Sequence, residues 1–302
     1  MIRRAARASL AAAVVLTLAP LPALGWGFDA HRIITRSAAA AMPEPLAGFY
    51  AMRAQRIAAA SIEPDSRLRS ELGEVEARRH YLDMDELSRP PFGDIPASEA
   101  AARARFGSAK LDAAGLLPWR VAEVHALLRD AFSRRDAADV VRLSGWLSHY
   151  VADASQPLHT TRNHDGQLTG NQGVHAAFET DLINHRRELY GDRARLPASF
   201  APRPVDDPAA FVLAEMVRAH ERVGGVLKAD TQAMLLVKKQ GKDYLESLEA
   251  RAGELAGSRM REAAANVASL WHSAWVQAGR PQPPASATRA RKRAPKATAS
   301  TP

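Results

Sequence analysis

The residues whose types and spacing point most directly to chemistry are His149 and Asp153, His159, and His175 and Glu179. His149 and Asp153 stand four apart in a stretch that reads as helix, so they project from one face, one turn apart. The chain continues Gln156-Pro157-Leu158-His159, and Pro157 turns it so that His159 can return toward that face. His175 and Glu179 repeat the four-residue interval on the next predicted helix. A single histidine–carboxylate pair at this spacing is ordinarily a surface interaction. Two such pairs with His159 between them make a nitrogen and oxygen donor set suited to divalent metal inside a helical bundle. The sequence contains no cysteine, which excludes disulfides, thiol catalysis, iron–sulfur clusters and cysteine-based zinc fingers.

Two further pairs lie upstream. Asp65 and His80 are fifteen apart, and each alone reads as a helix cap or a core histidine. Trp26 and His31 are five apart, just past a segment with the features of an export signal. Residues 1–25 carry Arg3-Arg4, an apolar run over 10–24 and the small-residue ending Ala23-Leu24-Gly25. That pattern predicts a secreted or periplasmic protein whose mature chain starts at Trp26. A terminal amine has a pKa of about 7.7–8.0 and is a competent metal ligand once deprotonated.

The elements that must position these residues read as helices throughout. The segment 29–60 predicts one or two helices broken by Pro43 and Pro45, and 85–118 predicts loops with a short helix. A helix is expected over 119–133, and another, capped by Asp136, to about Ala154. Residues 160–172 read as a polar loop, 174–189 as a helix, and 191–208 as a proline-rich connection. Helices are then expected near 209–228, 229–254 and 258–278. Period-2 alternation is absent, so the fold class is all-α, with one multi-helix domain over 26–280 and a disordered basic tail over 281–302.

Taken together, these motifs resemble the superfamily of zinc-dependent phospholipase C and single-strand-specific nucleases. The match rests on Trp26-Gly-x-x-x-His31, Asp65, His80-Tyr-Leu-Asp83, His149-x-x-x-Asp153 with Pro157-Leu158-His159, and His175-x-x-x-Glu179. The resemblance implies an all-helical domain with three zinc ions at the base of a cleft. Asp65, His80, His149 and Asp153 would hold one ion. The Trp26 amine and carbonyl with His31 would hold a second, bridged by Asp153, and His159, His175 and Glu179 the third. It also implies phosphodiester hydrolysis by a metal-activated water, with Asp65 as the catalytic residue that orients or deprotonates it. Tyr81 and Asp83 would contact substrate.

The substrate follows less directly. Phe178-Glu179 and His80-Tyr-Leu-Asp-Met-Asp85 are similar to the phospholipase branch, whereas the short Trp26-to-His31 interval is similar to the nucleases. Arg3, Arg4 and Arg7, with Arg289, Arg291, Lys292, Arg293 and Lys296, account for the whole net charge of +8. The body 26–280 is therefore neutral, which disfavours a phosphate-tracking nucleic-acid binder. The expected activity is phospholipase C-like, on a phospholipid and in contact with a membrane surface. The alternatives are a single-strand-specific nuclease or 3′-nucleotidase, and a non-catalytic zinc- or lipid-binding protein. No obligate protein partner is expected.

Overall fold

The computed structural model describes residues 26–235 and 241–284. The expected signal over 1–25, and all of the expected tail but 281–284, lie outside the described residues. Helices α1 (Phe28–Ala40) and α2 (Ala47–Ala60) lead through a π turn (Pro64–Leu68) into the single turns α3 (Arg69–Leu72) and α4 (Glu74–Ala77). Next come α5 (Met84–Leu87), α6 (Glu99–Phe106), α7 (Ser108–Ala114), α8 (Leu117–Ser133) and α9 (Ala137–Ala154). A 3-10 turn (Pro157–Thr160) and a loop precede α10 (Val174–Ala176), a second π turn (Ala177–Asp181), α11 (Leu182–His185) and α12 (Arg187–Arg193). Three helices follow, α13 (Pro208–His220), α14 (Val223–Met234) and α15 (Gly241–Gln277). No β-strand occurs among the described residues, so the protein is all-α as its sequence predicts.

Helix α9 is the centre of the bundle. The Asp136 carboxylate caps its start, accepting from the N–H groups of Ala138 and Asp139 at 3.0 and 3.1 Å. From Leu147 onward the chain is buried without a break to Thr161. A helix end enclosed on every side must be packed all round, and α1, α2, α8, α13 and α15 surround α9. Trp271 of α15 stacks on Tyr50 of α2 with ring centroids 4.6 Å apart and donates its indole N–H to the Ser144 carbonyl at 3.0 Å. Where α2 crosses α9 the backbones touch. A Cβ on Gly145 would lie 2.5 Å from the Ala60 Cβ and 2.8 Å from the Ile57 carbonyl oxygen. This close approach brings the end of α2 alongside His149.

Several boundaries differ from the sequence reading. The single helix expected over 174–189 is interrupted by the second π turn and ends at Arg186, where φ is −129° and ψ 40°. The stretch 85–118 holds two helices beyond the turn α5, not one. The helix expected over 209–228 breaks at Glu221–Arg222. The two helices expected over 229–254 and 258–278 are instead α14 and the continuous α15, which runs through Gly253 and Gly257. Glycine inside a helix costs about 1 kcal/mol relative to alanine. Packing offsets this at Gly257, where a Cβ would meet the Arg193 side chain at 2.6 Å.

Gly145→Ala should lose stability by about 1–3 kcal/mol, because overpacking outweighs the gain in helix propensity. Urea denaturation checks this, and an unchanged midpoint would contradict the backbone contact. His125, buried between α8 and α15, has its pKa lowered to about 4 by burial and then by Arg129. Below about pH 6.5 the unfolded chain takes up a proton there that the fold does not until about pH 4. Stability should therefore fall through that window as pH drops, by up to about 1.4 kcal/mol per unit from this group. In His125→Leu the fall should be shallower by one proton.

Candidate metal centre

Three side-chain groups converge within the bundle: His31, His149 and Asp153; Asp65, His80 and His149; and His159, His175 and Glu179. In each group the nitrogen and oxygen atoms lie within 4.8 Å of one another, and every member is buried. Helix α9 contributes His149 and Asp153 one turn apart, with His149 Nε2 3.2 Å from Asp153 Oδ2. The two oxygens of Asp153 face different neighbours. Its Oδ2 lies 3.1 Å from His80 Nδ1, whereas Oδ1 lies 3.4 Å from His31 Nε2. One carboxylate thus spans the first two groups. Asp65 Oδ1 is 3.4 Å from His80 Nδ1 and 3.9 Å from His149 Nε2. In the third group His175 Nε2 lies 2.8 Å from Glu179 Oε2 and 3.2 Å from His159 Nε2.

Local structure explains these directions. Asp65 and Glu179 both sit on π turns, whose extra residue re-aims side chains relative to an α-helix. The turn at Pro157–Thr160 swings His159 back, and its Nδ1 donates to the His80 carbonyl at 2.7 Å. His149 Nδ1 likewise donates to the Ser61 carbonyl at 2.8 Å. A carbonyl oxygen only accepts, so Nδ1 of each ring carries a proton and Nε2 faces inward. Gln156 donates its amide to Glu179 Oε2 at 3.0 Å and steadies that carboxylate.

The electrostatics call for positive charge. Both oxygens of Asp65, Asp153 Oδ1 and both ring nitrogens of His31 are buried without hydrogen-bond partners. Buried polar atoms are rarely left so, because the desolvation cost is not recovered. Burial alone would raise the Asp153 pKa, but the imidazoles of His149, His80 and His159 outweigh it and hold the carboxyl well below the usual range. Burial would lower His80, yet Asp153, Asp65 and Glu76 push it up to about 9. Burial and His149 hold His31 well below its ordinary value, and burial lowers His175 to about 4. Burial also pushes Glu179 up to about 8. Imidazoles and carboxylates that converge here, several of their atoms without hydrogen-bond partners, make a nitrogen and oxygen donor set for divalent cations, and zinc fits their chemistry.

His80, His159 and His175 reach a cleft of about 240 Å³ whose wall also includes Arg69, Glu74, Tyr81, Asp83 and His164. Arg69 Nη1 lies 3.9 Å from Asp65 Oδ1, whereas Arg67 points outward to Glu63 and Glu71. Asp83 is pushed up to about 7 by burial and then by Asp85 and Glu86. Tyr81 is held by its carbonyl, which accepts from the Leu117 N–H at 3.2 Å, and Gly115 packs directly over it. Trp26 is fully buried against Phe178, and the Gly27 N–H donates to the Glu179 carbonyl at 3.3 Å. That brings the start of the described chain to the third group. Asp29, near the start of α1, faces away from the groups and pairs with Arg32 and Arg187. Sequence reasoning missed Glu76 and gave Gln156 no role. The four-residue interval from Glu76 to His80 was the available signal for the first.

No protein-family model matches the chain. A protein of Bradyrhizobium tropiciagri described as a probable serine protease is 28% identical over 192 residues, covering 54% of this chain and 24% of its own. The chain thus spans about a quarter of that relative. Among solved structures, the alpha-toxin of an avian strain of Clostridium perfringens aligns with a TM-score of 0.42 at 12% identity, and the alpha toxin of Clostridium absonum with 0.43 at 11%. Each alignment covers 83% of this chain and 64% of the toxin, a little under two thirds of its length.

A saturating divalent ion binding only the folded state should add stability, about 4 kcal/mol at a thousand times its Kd. Thermal melts with zinc and with chelator should therefore differ by several degrees, and coincident melts would contradict ligation by these groups. Gly115 has φ +107°, and a Cβ there would lie 2.2 Å from the Tyr81 carbonyl oxygen. Gly115→Ala should cost on the order of 1–3 kcal/mol through backbone strain alone. Denaturant titration measures the loss.

Proposed function

We propose that the protein is an exported, zinc-dependent phosphodiester hydrolase of phospholipase C type, secreted or periplasmic. The observation that carries the reading is the convergence of three buried histidine–carboxylate groups, two of which reach one cleft through His80, His159 and His175. Asp65, His80, His149 and Asp153 would hold one zinc, His159, His175 and Glu179 another, and His31 with Asp153 and the Trp26 amine and carbonyl a third. The Trp26 ligand depends on cleavage after Gly25, whose segment lies outside the described residues. When bound, zinc supplies a nucleophile at neutral pH and offsets charge on the phosphoryl oxygens.

The chain's own residues do the rest. Asp65, with both oxygens unpartnered beside the cleft, orients the attacking water and accepts its proton. Arg69, half-buried on the cleft wall, offers its guanidinium to a phosphate oxygen. The enclosing helices exclude bulk water and strengthen each of these interactions. Asp65 is suited to base chemistry as well as to ligation, which favours a catalytic over a purely zinc- or lipid-binding role.

A specific observation favours a second reading, cleavage of single-stranded nucleic acid. Tyr81 and Asp83 share the cleft wall, and a carboxyl with a pKa of about 7 can both donate to and accept from a base edge, while the ring offers a stacking face. The experiment is turnover on phosphatidylcholine vesicles and on single-stranded DNA, with zinc and with chelator. The leading reading expects chelator-sensitive diacylglycerol release without DNA cleavage, and DNA cleavage alone would replace it with the second. Asp65→Asn should lower kcat by at least about a hundredfold on the working substrate. Full activity in that variant would remove Asp65 from the chemistry.

A further inference from the structure

His80 meets the other ligands through Nδ1, which lies 3.0 Å from His149 Nε2, 3.1 Å from Asp153 Oδ2 and 3.4 Å from Asp65 Oδ1. This is the reverse of His149 and His159, whose Nδ1 atoms point away to carbonyl oxygens. Nε2 of His80 is therefore the edge turned outward. It is buried and makes no hydrogen bond shorter than 3.5 Å. The group facing it is the Glu76 carboxylate, with Oε1 at 3.6 Å.

Glu76 is fully buried on the turn α4 and is held from other sides. Its Oε1 accepts from the Tyr150 hydroxyl, and its Oε2 from Arg79 Nη1 at 3.0 Å. The Tyr150 hydroxyl in turn accepts from Arg120 Nη2 at 3.4 Å, and Arg120 pairs with Glu123 at 2.7 Å. Tyr150 follows His149 on α9, so one helix carries both a member of the centre and the clamp on the carboxylate behind it.

We propose that Glu76 is a positioning residue that sets the tautomer of His80. Its carboxylate accepts the Nε2 proton, which leaves the Nδ1 lone pair directed at the ion shared with Asp65, His149 and Asp153. Contraction from 3.6 Å to hydrogen-bond distance needs only a small ring movement when an ion draws on Nδ1. An imidazole that ligates through one nitrogen needs an acceptor for the proton on the other, and outer carboxylates of this kind raise metal affinity 10–100-fold. Ser61 and His80 supply backbone carbonyls for His149 and His159, and Glu76 offers His80 a charged acceptor.

The inference rests on the reading that the centre binds zinc, and the test separates the two. Zinc-loaded wild-type protein and Glu76→Gln are titrated with a competing chelator, and ring-nitrogen NMR shifts of His80 are recorded in both. Glutamine keeps the shape; with its one oxygen accepting from Arg79, its NH2 takes the Oε1 position, where it donates to the Tyr150 hydroxyl oxygen and presents an N–H to His80 Nε2. The expected result is a 10–100-fold loss of affinity for one zinc. The zinc at His159, His175 and Glu179 should be unaffected, and the His80 proton should move to Nδ1. Glu76→Asp should recover part of the affinity, because it restores an acceptor. Equal affinity in Glu76→Gln and wild type would overturn the proposal. So would an equal loss at every site, which is the signature of a merely structural role. A wild-type protein that binds no zinc would instead overturn the reading on which the inference stands.

Discussion

The constraint on which the rest of the structure depends is the burial of carboxylates with too few protons to satisfy them. Asp153 sits at the end of α9 with no exposure, and one of its oxygens lacks a partner. Both oxygens of Asp65 lack one as well. Leaving such groups dry costs several kcal/mol unless charge is returned to them. His80, raised to about 9, supplies part of that charge when no cation is present. Five helices packed around α9 keep water out, so the centre and the core are two consequences of the same burial.

Much of the remaining architecture aims the ligands. Backbone carbonyls at Ser61 and His80 fix the rings of His149 and His159, and Gln156 steadies Glu179. The Ser61 carbonyl is in place because α2 lies directly on α9 at Gly145, where no side chain intervenes. The two π turns do for the carboxylates what the carbonyls do for the imidazoles. Each widens the helix at a ligand, at a cost in regular hydrogen bonding that packing has to offset.

The centre was legible in the sequence to the extent that spacing encodes direction. His149 and Asp153, and His175 and Glu179, meet because four residues of helix place them on one face, and both pairs do meet. Pro157 turns His159 inward as its ring geometry requires. Asp65 and His80, fifteen apart, were placed by resemblance alone, and only the tertiary fold brings them to α9. The π turns were not legible, because one extra residue in a turn leaves no composition signal. Arg69 differs from Arg67 only in the phase that the first π turn gives it. Glu76 is distinguished by burial, which its type alone, beside Glu71 and Glu74, does not announce. The break expected between 254 and 258 is absent, since α15 runs on through Gly253 and Gly257, and Gly257 makes room for Arg193.

The claim that these buried groups form a metal centre is tested most directly by counting metal. Elemental analysis of the protein, cleaved before Trp26, loaded with zinc and then dialysed, should return three equivalents per chain, one for each converging group. A protein that retains none after loading would contradict the account.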